Sequence, residues 1–129
     1  MKILHSILYV DDEDDIREIV ELSLRLDGEL DVTTCGSGNA ALAWLETRIP
    51  DLVVLDVMMP GLDGPGTLEK MRERPECADV PVVFLTAKAQ RDELDRFLAL
   101  GAIGVIAKPF DPMTLAQQLR DIWDGHYPA

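Results

Sequence analysis

Three carboxylates, a hydroxyl and an ammonium group directly follow short apolar runs in this sequence. Asp11 and Asp12 come after the first such run, and Asp56, Thr86 and Lys108 come after three others. Nearly continuous Val, Ile and Leu runs are typical of strands that are covered on both faces. Because open α/β sheets bind ligands outside the carboxyl ends of their strands, we expect these five side chains to converge on one edge of a sheet.

The three carboxylates predict a site for a cation and a phosphoryl group. Two carboxylates about 4 Å apart repel by about 4 kcal/mol at an effective dielectric of about 20, so either their pKa values rise or a cation enters. Oxygen ligands with no His or Cys nearby favour Mg²⁺, with Mn²⁺ as a substitute. Lys108 and Thr86 would help to neutralise a phosphoryl group at this edge. Asp56, on the central strand, is the carboxylate best placed to accept such a group covalently.

The elements that must position these side chains alternate between strands and helices. Apolar runs predict strands at residues 7–10, 30–34, 52–55, 80–85 and 104–107. The second run alternates with polar residues, which suits an edge strand. A strict βα alternation implies an α/β fold with a parallel sheet, helices on both faces and right-handed crossovers.

Five amphipathic segments predict the helices. Asp15 and Glu18 are spaced like a capping pair for the first helix. Asp111 and Pro112 are placed like the N-cap and first residue of the fifth helix. The apolar residues expected to face the core are Ile16, Ile19, Val20, Leu24, Ala41, Trp44, Leu45, Leu68, Met71, Leu94, Phe97, Leu98, Leu115, Leu119 and Ile122.

The composition narrows the class of protein. The chain has 129 residues with 12 Lys+Arg against 24 Asp+Glu, a formal net charge of −12. The length suits one domain, and the acidic balance without clustered Lys and Arg argues against direct nucleic-acid binding.

Because no apolar run approaches the ~20 residues of a membrane span and no export signal is visible, we expect a cytoplasmic protein without a membrane segment. Cys35 and Cys77 have neither metal-finger nor disulfide-scaffold spacing and are expected to be reduced.

These motifs, taken together and in order, resemble the receiver domain of two-component response regulators, of the chemotaxis-regulator-like kind. The matching segments are ILYVDDE at 7–13, DLVVLDVMMPGLDG at 51–64, LTA at 85–87 and KPF at 108–110. The resemblance covers nearly the whole chain, from about residue 7 to residue 122. It implies one receiver domain at residues 5–124 without an effector domain, and a flavodoxin-like doubly wound (βα)5 fold with strand order 2-1-3-4-5.

The resemblance also implies roles for individual residues. Asp56 would take a phosphoryl group from a phosphohistidine on a histidine kinase or a histidine phosphotransferase. Asp12 and Asp56 would bind Mg²⁺ directly, Asp11 would act through water, and the backbone carbonyl of Met58 would supply another ligand. Thr86 and Lys108 would each bind a phosphoryl oxygen. The peptide bond between Lys108 and Pro109 is implied to be cis.

The implied function is a phosphorylation-controlled switch in a two-component system or phosphorelay. Its surface would be read by a downstream protein target, and a dimer that forms on phosphorylation is left open. The chain would not be an enzyme beyond self-phosphorylation and autodephosphorylation. Members of the family usually have Tyr or Phe three residues before the lysine, whereas this chain has Val105, so a swinging aromatic ring is not available there to couple phosphorylation to output.

Several alternatives remain at this point. A small Mg²⁺-dependent phosphatase acting through an aspartyl-phosphate would typically carry a second Asp where this chain has Met58. A pure binding module would have a degenerate site, and a flavodoxin would need a phosphate cradle where the first loop is acidic. The sequence also does not decide whether Trp123 and Tyr127 pack internally or contact a partner. Nor does it distinguish a stand-alone regulator from a phosphorelay shuttle or a piece of a longer protein.

Overall fold

The computed structural model of the protein describes residues 2–88 and 90–128. Strands and helices alternate along the chain, as predicted. Their bounds are β1 Ser6–Val10, α1 Asp14–Arg25, β2 Asp31–Cys35, α2 Gly38–Trp44, β3 Leu52–Asp56, α3 Gly64–Arg72, β4 Val82–Thr86, α4 Arg91–Ala99, β5 Gly104–Ala107 and α5 Leu115–His126, with a 3₁₀ turn at Pro75–Cys77. No described helix is long and apolar enough to cross a membrane.

The strands form one parallel sheet in the order β2-β1-β3-β4-β5. This order confirms the predicted flavodoxin-like topology and places β2 at an edge. One apolar layer lies between the sheet and α2, α3 and α4, and it contains Leu8, Leu55 and Phe84. The other layer lies between the sheet and α1 and α5, and it contains Ile7 and Val54. Both faces of the central strands are therefore covered, which explains their continuous apolar sequences.

Two predicted helix starts are wrong. α1 begins at Asp14 after Glu13, whose side chain makes no capping hydrogen bond, so Asp15 does not act as the N-cap. Negative charge in the first turn instead favours this helix end through the helix dipole. At α5, Asp111 caps a turn, accepting a hydrogen bond at Oδ1 from the Met113 amide at 2.9 Å. The α-helix begins only at Leu115, because the three residues before it form that turn.

The pattern of burial departs from the predicted apolar stripes at a few positions. Ile19 and Leu98 are each 48% exposed, whereas Phe97 is buried as predicted. On α5 the buried aromatic residue is Trp123, whose Nε1 donates a hydrogen bond of 2.9 Å to the carbonyl of Lys2. Trp123 therefore packs internally, which decides the alternative that the sequence left open for this residue. The Lys108–Pro109 peptide bond is cis, as the resemblance implied.

Candidate functional site

The carboxyl ends of the strands bring the predicted side chains to one edge of the sheet. Asp11 follows β1 directly, and Asp56 and Thr86 are the last residues of β3 and β4. Lys108 follows β5. Ala107, the residue before Lys108, is paired in register with Thr86. Because all these strands are parallel, their ends lie side by side. The arrangement is the one expected from the sequence.

Asp11, Asp12 and Asp56 gather into one cluster of carboxylates. One oxygen of each lies within 4.8 Å of the others. Asp11 is fully buried and Asp56 is 4% exposed, whereas Asp12 is exposed to solvent. Hard oxygen donors on two buried groups and one exposed group fit a Mg²⁺ ion that keeps part of its water shell.

Lys108 places its ammonium group against this cluster. Its Nζ lies 3.1 Å from Oδ2 of Asp11 and 3.1 Å from Oδ2 of Asp56. The same atom lies 3.7 Å from Oε1 of Glu13. One ammonium group thus neutralises part of the charge of three carboxylates, and its side chain is only 17% exposed.

The electrostatics of the site follow from burial and from these contacts. Burial raises the pKa of Asp56 to about 6; the hydrogen bond from Lys108 opposes that rise, and the charge of Asp11 adds to it. For Lys108, burial lowers the pKa, but the hydrogen bonds to Asp56 and Asp11 outweigh it and the pKa is raised. Lys108 is therefore a permanent positive charge at neutral pH, beside a carboxylate that is ionised mainly above pH 6.

Thr86 and Met58 lie near the cluster but outside its hydrogen bonds. The Thr86 hydroxyl is buried, accepts a hydrogen bond of 3.0 Å from the Lys88 amide and lies 3.3 Å from the Lys88 carbonyl oxygen. It is therefore tied to the loop after β4 rather than to Asp56. Met58 lies in the loop after β3 and is 76% exposed, and the role expected of it belongs to its backbone carbonyl.

Gly64, at the start of α3, closes the loop that follows Asp56. Its amide donates a hydrogen bond of 3.0 Å to the Val57 carbonyl. A Cβ atom at this position would lie 2.5 Å from the backbone oxygen of Asp56 and 2.9 Å from Cα of Val57. Only glycine fits there without moving the backbone of the central strand.

Sequence reasoning missed two residues that contact the acidic loop. The Tyr9 hydroxyl donates a hydrogen bond of 3.0 Å to Oδ2 of Asp11, and burial together with the Asp11 charge raises the pKa of this phenol. Arg17 donates from Nη1 to the backbone oxygen of Asp11 at 2.7 Å and also contacts the Asp14 carboxylate. The period of two along a strand could have revealed Tyr9, since residues 9 and 11 point to the same face. The i,i+3 spacing of Asp14 and Arg17 could have revealed their ion pair.

An apolar cavity of about 330 Å³ opens beside Lys108. Its walls are mostly side chains of α1 and of the segment between β5 and α5, and Glu13 and Ala87 also line it. The apolar side chains of the wall include Ile16, Ile19, Phe110 and Pro112. The cavity and the acidic cluster share Lys108, so a molecule seated in the cavity would lie next to the cluster.

Comparisons with known proteins agree on one family. A family model described as the response regulator receiver domain matches residues 7–120. A protein of Porphyridium aerugineum named "Probable transcriptional regulator ycf27" is 40% identical over 117 residues, which cover 91% of this chain and 47% of that protein. The response regulator Rre1 of Synechocystis is 36% identical over 117 residues, covering 91% of this chain and 51% of that protein. The chain thus spans about half the length of the curated relatives it matches.

Solved structures give the same result. The chemotaxis response regulator CheY4 of Vibrio cholerae superposes with a TM-score of 0.84 at 30% identity, covering 93% of this chain and 99% of that one. The receiver domain of the Francisella response regulator 1452 superposes with a TM-score of 0.83 at 26% identity, covering 95% and 98%.

These comparisons bear on two of the sequence-based expectations. They give no support to the phosphatase alternative. The sequence predicts no direct nucleic-acid partner, whereas several relatives are named as probable transcriptional regulators; this chain matches about half the length of such a relative.

Proposed function

The chain belongs to the family of response regulator receiver domains of two-component systems, and from this premise we propose that Asp56 accepts a phosphoryl group from a phosphohistidine. The observation that carries the proposal is the surrounding of Asp56. Its carboxylate is nearly buried at the end of the central strand, 3.1 Å from the Lys108 ammonium and within the cluster formed with Asp11 and Asp12.

Mg²⁺ is the cofactor that these residues would hold. Asp12 and Asp56 would bind it directly, Asp11 through water, and Met58 through its backbone carbonyl. The mutual distances of the three carboxylates and the lack of softer ligands in the cluster support this assignment. When bound, the ion supplies positive charge to the phosphoryl oxygens.

The transfer itself uses three side chains of this protein. An oxygen of ionised Asp56 attacks phosphorus, an O–P bond forms, the P–N bond of the phosphohistidine breaks, and the departing imidazole keeps the electron pair and takes up a proton. The Lys108 ammonium pairs with one phosphoryl oxygen as charge develops. The Thr86 hydroxyl gives up its contacts with Lys88 and donates to another.

Movement of Thr86 would be the start of the output signal. Its hydroxyl and the Lys88 backbone are bonded in this structure, so withdrawing the hydroxyl rearranges the loop after β4 and changes the surface that a downstream protein reads. Val105 is partly buried and packs against the core, and it has no ring to rotate. The output signal of this chain would therefore pass through the loop after β4.

The chain would not act as an enzyme on other substrates. The reactions expected of it are its own phosphorylation and dephosphorylation.

The apolar cavity beside Lys108 is the proposed docking site of the protein that donates the phosphoryl group. Its occupant would be the histidine kinase or phosphotransferase, with apolar side chains next to its phosphohistidine packed against Ile16 and Ile19. Because Lys108 forms part of both the cavity wall and the acidic cluster, this seating would bring the phosphohistidine towards Asp56.

Labelling with acetyl phosphate tests the proposed acceptor. With Mg²⁺ present, the wild-type protein should gain the mass of one phosphoryl group, and Asp56→Asn should gain none. Asp95→Asn, which changes an exposed carboxylate on α4, should be labelled like the wild type and serves as the matched control. EDTA should abolish labelling of the wild type and of Asp95→Asn. Normal labelling of Asp56→Asn would refute the assignment.

A further inference from the structure

Tyr9 is a fully buried residue of β1 whose hydroxyl reaches the edge of the sheet. Its ring packs in the apolar layer beneath α1 and α5. Asp11 follows two residues later and points to the same side, so the hydroxyl lies against its carboxylate, 3.0 Å from Oδ2. The oxygen atom of Tyr9 thus ends in the acidic cluster, while its ring belongs to the core.

The carboxylate of Asp11 is held by three donors that differ in kind. Oδ1 accepts a hydrogen bond of 3.0 Å from the Glu13 amide. Oδ2 accepts one of 3.0 Å from Tyr9 and one of 3.1 Å from Lys108. Lys108 also lies 3.1 Å from Asp56 and 3.7 Å from the Glu13 carboxylate, so its bond to Asp11 is one of several. The Tyr9 hydroxyl has Asp11 as its partner.

Lys108 is shared among several carboxylates, whereas Tyr9 is bonded to Asp11, and this difference between the two donors matters when a phosphoryl group changes the charge of the site. Lys108 is the residue whose ammonium group would pair with a phosphoryl group on Asp56. Its bond to Asp11 would then weaken, and Oδ2 of a fully buried carboxylate would depend on its remaining donor. A rigid phenol held by packing on every side is suited to keep that oxygen in place.

We propose that Tyr9 is a positioning residue of the cation site, whose hydroxyl holds the Asp11 carboxylate in the orientation that faces Asp12 and Asp56. The role rests on the proposed function, since it assumes that Mg²⁺ binds at this cluster. Tyr9 would be a ligand of neither the ion nor the phosphoryl group and would act only through its hydrogen bond to Asp11.

Tyr9→Phe tests the role because it keeps the ring and removes only the hydroxyl. We expect the variant to bind Mg²⁺ about ten- to a hundredfold more weakly than the wild type, the loss typical of one hydrogen bond to a charged group. Titration with MgCl₂, followed by calorimetry and by the backbone amide resonances of Asp12 and Asp56, gives the Kd. At saturating Mg²⁺, labelling by acetyl phosphate should return to within about twofold of the wild-type rate, since the hydroxyl acts on ion binding.

Ile7→Val is the matched control. Ile7 lies on the same strand and face as Tyr9 and is 1% exposed, and the change also removes one heavy atom from the same apolar layer. It should lower thermal stability and leave the Kd for Mg²⁺ unchanged. Equal affinities in Tyr9→Phe and the wild type, or equal losses in both variants, would overturn the role of Tyr9. Failure of the wild-type protein itself to bind Mg²⁺ would instead overturn the cation site, and the role of Tyr9 with it.

Discussion

Lys108 donates a hydrogen bond of 3.1 Å from its Nζ to Oδ2 of Asp56, so the proposed acceptor already has a cationic partner before any phosphoryl group is present. This bond opposes the rise in the pKa of Asp56 that burial causes. It also means that Lys108 and a divalent cation would neutralise the same charge. Lys108 is therefore expected to compete weakly with Mg²⁺ and to stabilise the phosphorylated state.

Lys108→Met separates these two effects. Without Mg²⁺ the variant should be less stable by roughly 3 kcal/mol, because two nearly buried carboxylates lose their partner. Mg²⁺ should bind more tightly than to the wild type, while labelling by acetyl phosphate should slow at least tenfold. Thermal unfolding with EDTA and with Mg²⁺, together with the labelling rate, measures all three. Lys70→Met, on the exposed surface of α3, is the control, and wild-type labelling of Lys108→Met would contradict the assigned role.

Gly64→Ala should damage the loop that supports Asp56. The added methyl group would lie 2.5 Å from the Asp56 backbone oxygen, and relief of such a contact typically costs about 1–3 kcal/mol. We expect a lower free energy of unfolding in urea and slower labelling, because the shift falls on the acceptor's own backbone. Gly125→Ala, in α5 with open space around the new Cβ, should instead stabilise the protein by roughly 0.5–1 kcal/mol. Equal stabilities of the two variants would count against the tight fit at residue 64.

Asp27 and Arg120 connect the end of α1 to α5 through two hydrogen bonds. The hydrogen bond from Arg120 is the main reason why the pKa of Asp27 lies below its ordinary value of 3.8. A carboxylate whose pKa is lower in the folded state stabilises the protein fully above its ordinary pKa, and the contribution is lost as the pH falls through the folded value. Asp27→Asn should therefore be less stable than the wild type at neutral pH, with a difference that shrinks in strong acid.

Urea unfolding at about pH 7 and at about pH 3 measures this difference. Asp95→Asn provides the comparison, because Asp95 is exposed on α4 and its replacement should leave the pH dependence unchanged. A difference between Asp27→Asn and the wild type that stays constant across the acid range would show that the ion pair does not supply the pH dependence.

Ile19→Glu should impair transfer from a protein donor but not from a small molecule. Ile19 is 48% exposed on α1 and lines the apolar cavity beside Lys108, so a charge there would be buried under a docked partner. We expect phosphotransfer from a purified histidine kinase or phosphotransferase that labels the wild type to slow about tenfold, the effect of roughly 1.4 kcal/mol at an interface. Labelling by acetyl phosphate should stay within about twofold of wild type.

The control for this surface is Ile49→Glu. Ile49 is 51% exposed and precedes β3, so it lies near the amino-terminal end of this strand, whereas Asp56 lies at its carboxyl end. Its replacement should leave both donors unaffected. Equal slowing of protein transfer by both variants would mean that added negative charge, rather than the cavity, is responsible.

Much of the site was predictable because it depends on local patterns. Continuous apolar runs marked the strands, and a strict βα alternation left a parallel sheet as the consistent architecture. Parallel strands place their carboxyl ends along one edge, so Asp11, Asp56, Thr86 and Lys108 had to lie near one another. Helix starts were less predictable, since Asp111 can cap a turn as well as a helix. In this protein Asp111 caps a turn, so that α5 begins at Leu115.

The amino-acid sequence alone thus determined the order of the elements and which chemical groups stand at the ends of the strands, because periodicity and chain connectivity act over short distances. Only the tertiary structure decided how those groups share their hydrogen bonds. Lys108 and Asp11 are 97 residues apart in the chain, and Lys108 and Asp56 are 52 apart. Whether one ammonium serves both carboxylates, and whether Tyr9 holds one of them, depends on contacts that form only when the sheet and both helix layers pack together.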